Sequence, residues 1–295
     1  MGIFNSKDKQ LEPPPPPFLD EPWRKIRWGD NQAVLQYVQN YKLANENIKL
    51  LRVLLYGPVG AGKSSFINTV GDIMQRRMTN SAAASAITSD KSFTKQYQTH
   101  KIQITRGANK TFYPFVFNDI MGVENETASG VHPEDIKLAM MGHVKEGYKF
   151  NPVSSLSKDD HYYNKGPAPD EKVHVLVCVL SANVAEVKKI ILEKMNSVRE
   201  TARDLGIPQM AIMTNVDEAC PVTEKDLKNV YRSRHLKNKM KEFSSAVGIP
   251  MKYIFPVKNY SHEIELDDDV DTLILSALKN MINFGDDFIE KNAPV

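Results

Sequence analysis

Cysteine is scarce in this sequence: 295 residues carry only Cys178 and Cys220. That excludes a disulfide framework and makes a reducing compartment the default. Long apolar runs are missing too. None reaches the roughly 18 residues that a membrane-spanning helix needs, and the opening MGIFNSKDKQ lacks the apolar core of a secretory leader. A cytoplasmic protein is therefore expected. Neither sign of charge dominates, since Lys plus Arg is 38 and Asp plus Glu is 36, a net charge of +2. Nothing here points to nucleic acid as a bulk electrostatic partner. His100, His132, His143, His161, His174, His235 and His262 show no metal-ligand spacing, so no structural zinc is indicated. The acidic run Glu263–Asp271 precedes a helical pattern, where it complements the helix dipole without calcium.

What is present is an alternation of strand and helix patterns. Residues 1–22 read as a flexible arm, because the unbroken run Pro13–Pro17 favours polyproline II and cannot be helix. Trp23 and Trp28 follow, and large aromatics at that place are expected to staple the arm to the domain. Residues 23–295 read as one domain. Helical spacing is predicted over 31–43, 63–74, 134–143, 184–205, 227–247 and 270–289. Strands are predicted over 51–56, 100–105, 112–118, 173–180, 209–214 and 251–257. The continuous apolar run VHVLVCVL is the pattern of a strand buried on both faces of a parallel sheet. The predicted fold is α/β: a three-layer P-loop NTPase, GTPase-like, with a mostly parallel central sheet. The Ser/Thr/Ala-rich stretch 77–92 and the Pro/Asp/Tyr-rich stretch 149–171 are predicted loops.

Gly57-Pro58-Val59-Gly60-Ala61-Gly62-Lys63-Ser64 matches G-x-x-x-x-G-K-S/T at every fixed position, between a predicted strand and a predicted helix. Glycines allow successive backbone N–H groups to turn around phosphates, and the helix start at Lys63, Ser64 and Ser65 adds its positive dipole end. Lys63 is expected to meet the β- and γ-phosphates, and the Ser64 hydroxyl to ligate Mg²⁺. Asp119-Ile120-Met121-Gly122 ends a predicted strand. There Asp119 would hold the metal through water, and the Gly122 N–H would swing to the γ-phosphate. A further metal-contacting threonine is expected before Asp119. Thr88, Thr94, Thr99 and Thr105 compete, and Thr94 is chosen because it precedes a strand-like run.

Thr214-Asn215-Val216-Asp217 stands where GTPases carry N/T-K-x-D. Asp217 would accept two hydrogen bonds from the guanine edge, but asparagine replaces the lysine whose stem packs over the base. Lys258, after the last predicted strand, is a candidate to replace that packing. GTP or GDP with Mg²⁺ is thus the expected ligand. The position after D-x-x-G, where a glutamine would orient the attacking water, is Val123. Hydrolysis is expected to be slow unless Glu124, His132 or a second subunit acts. Arg76 and Arg77 are placed to reach phosphate across a dimer, although exposed arginines are usually only solvated.

Several further segments carry a more specific resemblance. RVLLYGPVGAGKSSFINTV, PFVFNDIMGVE, GVHPEDIKLAMMGHVKEGYKFNP, VHVLVCVLSAN, RDLGIPQMAI, VGIPMKYIFPVKNY and DDDVDTLILSALKNMINFGDDF resemble the interferon-induced protein 44 family, over roughly residues 22–290. The resemblance implies a GTPase-like domain, a cytoplasmic location, induction by interferon and an antiviral or immune-modulating role. Asn215 departs from the lysine expected there. Two readings follow: a slow GTPase switch, or a nucleotide-dependent scaffold acting through protein partners or self-association. MGIFNS also fits the N-myristoylation pattern M-G-x-x-x-S/T at Gly2. A single acyl chain beside only Lys7 and Lys9 would give at most weak membrane contact.

Overall fold

The structure is a computed structural model that describes residues 17–79, 96–105, 107–120, 122–123, 130–184 and 187–292. Gly2, Thr88, Thr94 and Glu124, on which expectations were placed, lie outside the described residues.

The chain runs α1 (Asn31–Gln39), β1 (Leu51–Tyr56), α2 (Lys63–Gln75), β2 (Gln98–Gln103), β3 (Phe112–Asp119), α3 (Pro133–Met140) and β4 (Val175–Ser181). It continues through α4 (Lys189–Asp204), β5 (Gln209–Thr214), α5 (Pro221–Lys225), α6 (Arg234–Val247), β6 (Ile254–Pro256) and α7 (Asp268–Lys291). The six strands lie in the order β2-β3-β1-β4-β5-β6. Every pairing is parallel except β2 with β3, which is antiparallel. Burial explains the arrangement. All six residues of β1 are buried, as are the apolar residues of β4, so both faces of the sheet must be covered. α7 packs on β1 with α1 and α2 beside it, and α4 packs on β5 with α3 and α6 beside it. β2 is one of the two edge strands and is mostly only partly buried, which suits its polar sequence QTHKIQ.

The predicted elements are present, with shifts that have local causes. The helix predicted over 227–247 is broken. A 3-10 turn covers Leu227–Tyr231, and α6 starts afresh because the buried Ser233 hydroxyl accepts the Leu236 N–H at 3.2 Å. The final strand is shorter than 251–257, since Met251–Tyr253 forms a 3-10 turn before β6. β2 lies two residues earlier than predicted, its register set by His100 opposite Phe117. α4 begins at Lys189 rather than 184, and the five-residue α5, started by Pro221, had no periodic signal. His132 caps α3 by accepting the Glu134 N–H at 3.2 Å, the ordinary role for a helix-start histidine.

Residues 17–22 lie along 231–234, with Phe18 bridging Ser233 and the Leu19 N–H donating to Arg232 O at 2.9 Å. Trp23 meets the Tyr231 ring edge-on at 5.0 Å, and Trp28 approaches the same ring at 6.5 Å. The tryptophans therefore staple this segment to the domain.

Candidate nucleotide site

Strand order reverses at β1: the chain leaves it first toward β3, then crosses to β4, β5 and β6. Ligands of open α/β sheets bind outside the carboxyl ends of the strands at such a point. The loop 57–62 lies there. Gly57 has φ +151°, and a Cβ on it would sit 2.1 Å from Val179 O, so no side chain fits. Gly62, at φ +86°, precedes α2 and supplies no capping side chain. The first N–H groups of a helix lack carbonyl partners within it, and such a helix start suits an anion.

Lys63 is 7% exposed, and its ammonium donates to Gly57 O at 3.2 Å and Pro58 O at 3.0 Å. Burial pushes its pKa down, against the pull of nearby Asp119. The charge thus curls back over the loop. Ser64 Oγ donates to Asp119 Oδ2 at 2.5 Å. The contact follows from register, since Asp119 at the end of β3 pairs with Leu55 near the end of β1. A hydroxyl and a carboxylate are hard oxygen donors of the kind that suits Mg²⁺. The D-x-x-G segment is stitched to the same loop. Val123 N donates to Gly57 O at 3.0 Å, and a Cβ on Gly122 would lie 2.6 Å from Val59 N. Val123 itself is 4% exposed.

The strand-end motif of β5 closes the other side. Thr214 is fully buried, and its hydroxyl donates to Ala61 O at 2.8 Å, so its side chain braces the loop. Asn259 Nδ2 adds a second tie, to Gly62 O at 3.3 Å. Asn215 has φ +55° and donates from Nδ2 to Glu218 Oε1 at 3.0 Å. Asparagine tolerates that left-handed backbone better than lysine does. The Lys258 ammonium lies 3.7 Å from Asp217 Oδ2 and 2.8 Å from Glu263 Oε1. Burial would raise the Glu263 carboxyl, but the Lys258 hydrogen bond and the Ser261 N–H outweigh it and hold it at about 2. The same bond raises Lys258 in spite of its partial burial.

The structure brings together Gly57 to Ser64, Asp119, Gly122, Thr214 and, around the last loop, Asp217 and Lys258. Two of the competing threonines are engaged elsewhere. Thr99 Oγ1 accepts from Asn118 Nδ2 at 3.0 Å, and Thr105 Oγ1 lies 2.8 Å from Thr111 Oγ1. Arg77 donates to Met78 O at 3.1 Å and Gln75 Oε1 at 3.2 Å, and Arg76 caps α2. Sequence reasoning missed Glu263, which it treated as one of the acids complementing a helix. The N-cap of α7 is Asp267, and Glu263 precedes it in a loop.

No family model matches the chain. Among solved structures it resembles a dimerization-deficient Toc33 from Arabidopsis thaliana, at 14% identity and TM-score 0.46 over 86% of this chain and 91% of that one. It also resembles a probable GTP-binding protein engB, at 12% identity and TM-score 0.37 over 82% and 99%. Interferon-induced protein 44 of Pan troglodytes is 31% identical over 260 residues, 88% of this chain and 57% of that protein. Human interferon-induced protein 44-like is 30% identical over 275 residues, 92% of this chain and 60% of that protein. The chain thus spans less than two thirds of the length of these relatives. At about 30% identity over most of its length, the chain is similar to members of the interferon-induced protein 44 family.

Proposed function

We propose that this protein binds GTP or GDP with Mg²⁺ and hydrolyses GTP slowly or conditionally. The observation that carries the reading is the Ser64–Asp119 contact beneath a glycine loop at the strand-order reversal. Gly57 to Ser65 would cradle the phosphates by backbone N–H groups, and Lys63 would turn from the Gly57 and Pro58 carbonyls to the β/γ oxygens. Ser64 and Asp119 would hold the metal, which supplies charge neutralisation at the phosphates. Thr94 remains the proposed switch threonine. The Gly122 N–H would meet the γ-phosphate, and Asp217 would read the guanine edge beside Lys258.

A second reading, a nucleotide-dependent scaffold with little turnover, is favoured by Val123. Its side chain is apolar and buried against the loop, so it orients no water. Glu124, His132 or a second copy would then have to supply that function. Either form would act through protein partners or self-association, in the cytoplasm, with an interferon-linked immune role proposed from the relatives. No described helix is long and apolar enough to cross a membrane. Lys63→Ala tests the site: a fluorescent GTP analogue should lose binding while far-UV circular dichroism stays unchanged. A folded variant with wild-type affinity overturns the assignment. Steady-state phosphate release separates the two readings.

A further inference from the structure

The loop after β6 carries Lys258 and Glu263, and Asp217, which follows β5, completes a row of three charges in contact. The spacing is unequal. The ammonium sits 2.8 Å from Glu263 and 3.7 Å from Asp217. Lys258 is therefore hydrogen-bonded to one carboxylate and only near the other. Glu263 is itself fixed, because Oε2 accepts the Ser261 N–H at 2.8 Å and the His262 N–H at 3.1 Å. The loop is pinned at both ends. The Tyr260 N–H donates to Thr69 Oγ1 on α2 at 3.1 Å, and the Asp267 N–H donates to the Tyr260 phenol oxygen at 2.7 Å.

We propose that Glu263 is a positioning residue that draws the Lys258 ammonium away from Asp217 and so keeps the Asp217 carboxylate available to a purine edge bearing two N–H donors. The inference rests on the base-reading role given to Asp217 above. A lysine between two carboxylates settles on the one with better geometry. Without Glu263, the remaining partner is Asp217, and a direct Lys258–Asp217 pair competes with the base for the same oxygens. In this view Glu263 answers a difficulty that Asn215 creates. The cation of the base site comes from the following loop rather than from the motif itself, so it needs a second anion to hold it off the first.

The test uses the full chain with Glu263→Gln, Lys258→Met and the two combined. Titration with fluorescent GTP and ATP analogues reads selectivity. Glu263→Gln should weaken GTP about tenfold, the worth of one lost hydrogen bond to a charged group, and should leave ATP little changed. Adding Lys258→Met should restore most of the loss, because the competing cation is gone while the methionine keeps an apolar stem to pack beside the base; a merely structural role for Glu263 predicts no such rescue. A thermal double-mutant cycle between Asp217→Asn and Lys258→Met, run with and without Glu263→Gln, reads the placement independently of nucleotide. Coupling should grow when Glu263 is removed. Unchanged coupling overturns the placement, as does unchanged GTP affinity or a failed rescue. Increased coupling in a protein that never prefers GTP over ATP overturns the base reading instead.

Discussion

Asp271→Asn should stabilise this protein at neutral pH. Asp271 lies in the first turn of α7 and is only 6% exposed. Burial is the main cause that pushes its carboxyl from 3.8 up to about 6; the Tyr260 hydrogen bond at 2.6 Å and Arg76 oppose this, while Asp268 and Asp267 add to it. At about 1.36 kcal/mol per tenfold change in proton affinity, that displacement corresponds to ~3 kcal/mol against the ionised form. An asparagine is neutral and still accepts from Tyr260, but it gives up a favourable charge at a helix start worth ~1 kcal/mol. The net expectation is a gain of about 2 kcal/mol at pH 7. The pH dependence has a definite sign. The folded-state value lies above the unfolded one, so the folded form takes up a proton as pH falls from about 6 to 3.8. Asp271 therefore makes the wild type gain stability with acidification across that window and lose it as pH rises through about 6. Urea denaturation at pH 7 and pH 4.5 checks this. The asparagine variant should have the higher midpoint at pH 7 with an unchanged slope, and the advantage should shrink at pH 4.5. A variant less stable at pH 7, or equally advantaged at both, refutes the reasoning.

Gly57→Ala should abolish triphosphate binding and lower the melting temperature, because the new methyl would lie 2.1 Å from Val179 O; calorimetry with and without GTP reads both. Asn215→Lys should cost about 1 kcal/mol of stability through its left-handed backbone, whereas Asn215→Gly should cost less, both measured by chemical denaturation. Val123→Gln should destabilise by about 1–3 kcal/mol, since it places an amide in a buried apolar position; an equal-stability variant would show that the side chain reaches solvent. Between pH 4.5 and about 2, Glu263 should stay ionised and paired with Lys258 in the folded protein while its contribution to stability falls, because the unfolded chain takes up the proton first; loss of its ionised carboxyl signal by NMR should come only near pH 2.

Local rules were enough for much of this protein. The run LRVLLY followed by a glycine loop and Lys63 told of a buried strand, a tight glycine loop and a helix, because each depends on near neighbours. The run VHVLVCVL likewise announced a strand covered on both faces, and Trp23 and Trp28 announced their own anchoring role. The break at Ser233 was less legible, because the cap competes with a continuous apolar pattern and the arm supplies backbone partners to residues 231–234. Periodicity carries no information about such partners. What only the tertiary structure decided was who meets whom across long separations. Ser64 meets Asp119, Thr214 braces Ala61, and Glu263 rather than Asp217 takes the closer contact with Lys258. The physical reason is that strand order and register set those contacts. A parallel sheet places loop ends side by side by crossovers that no short window of sequence contains.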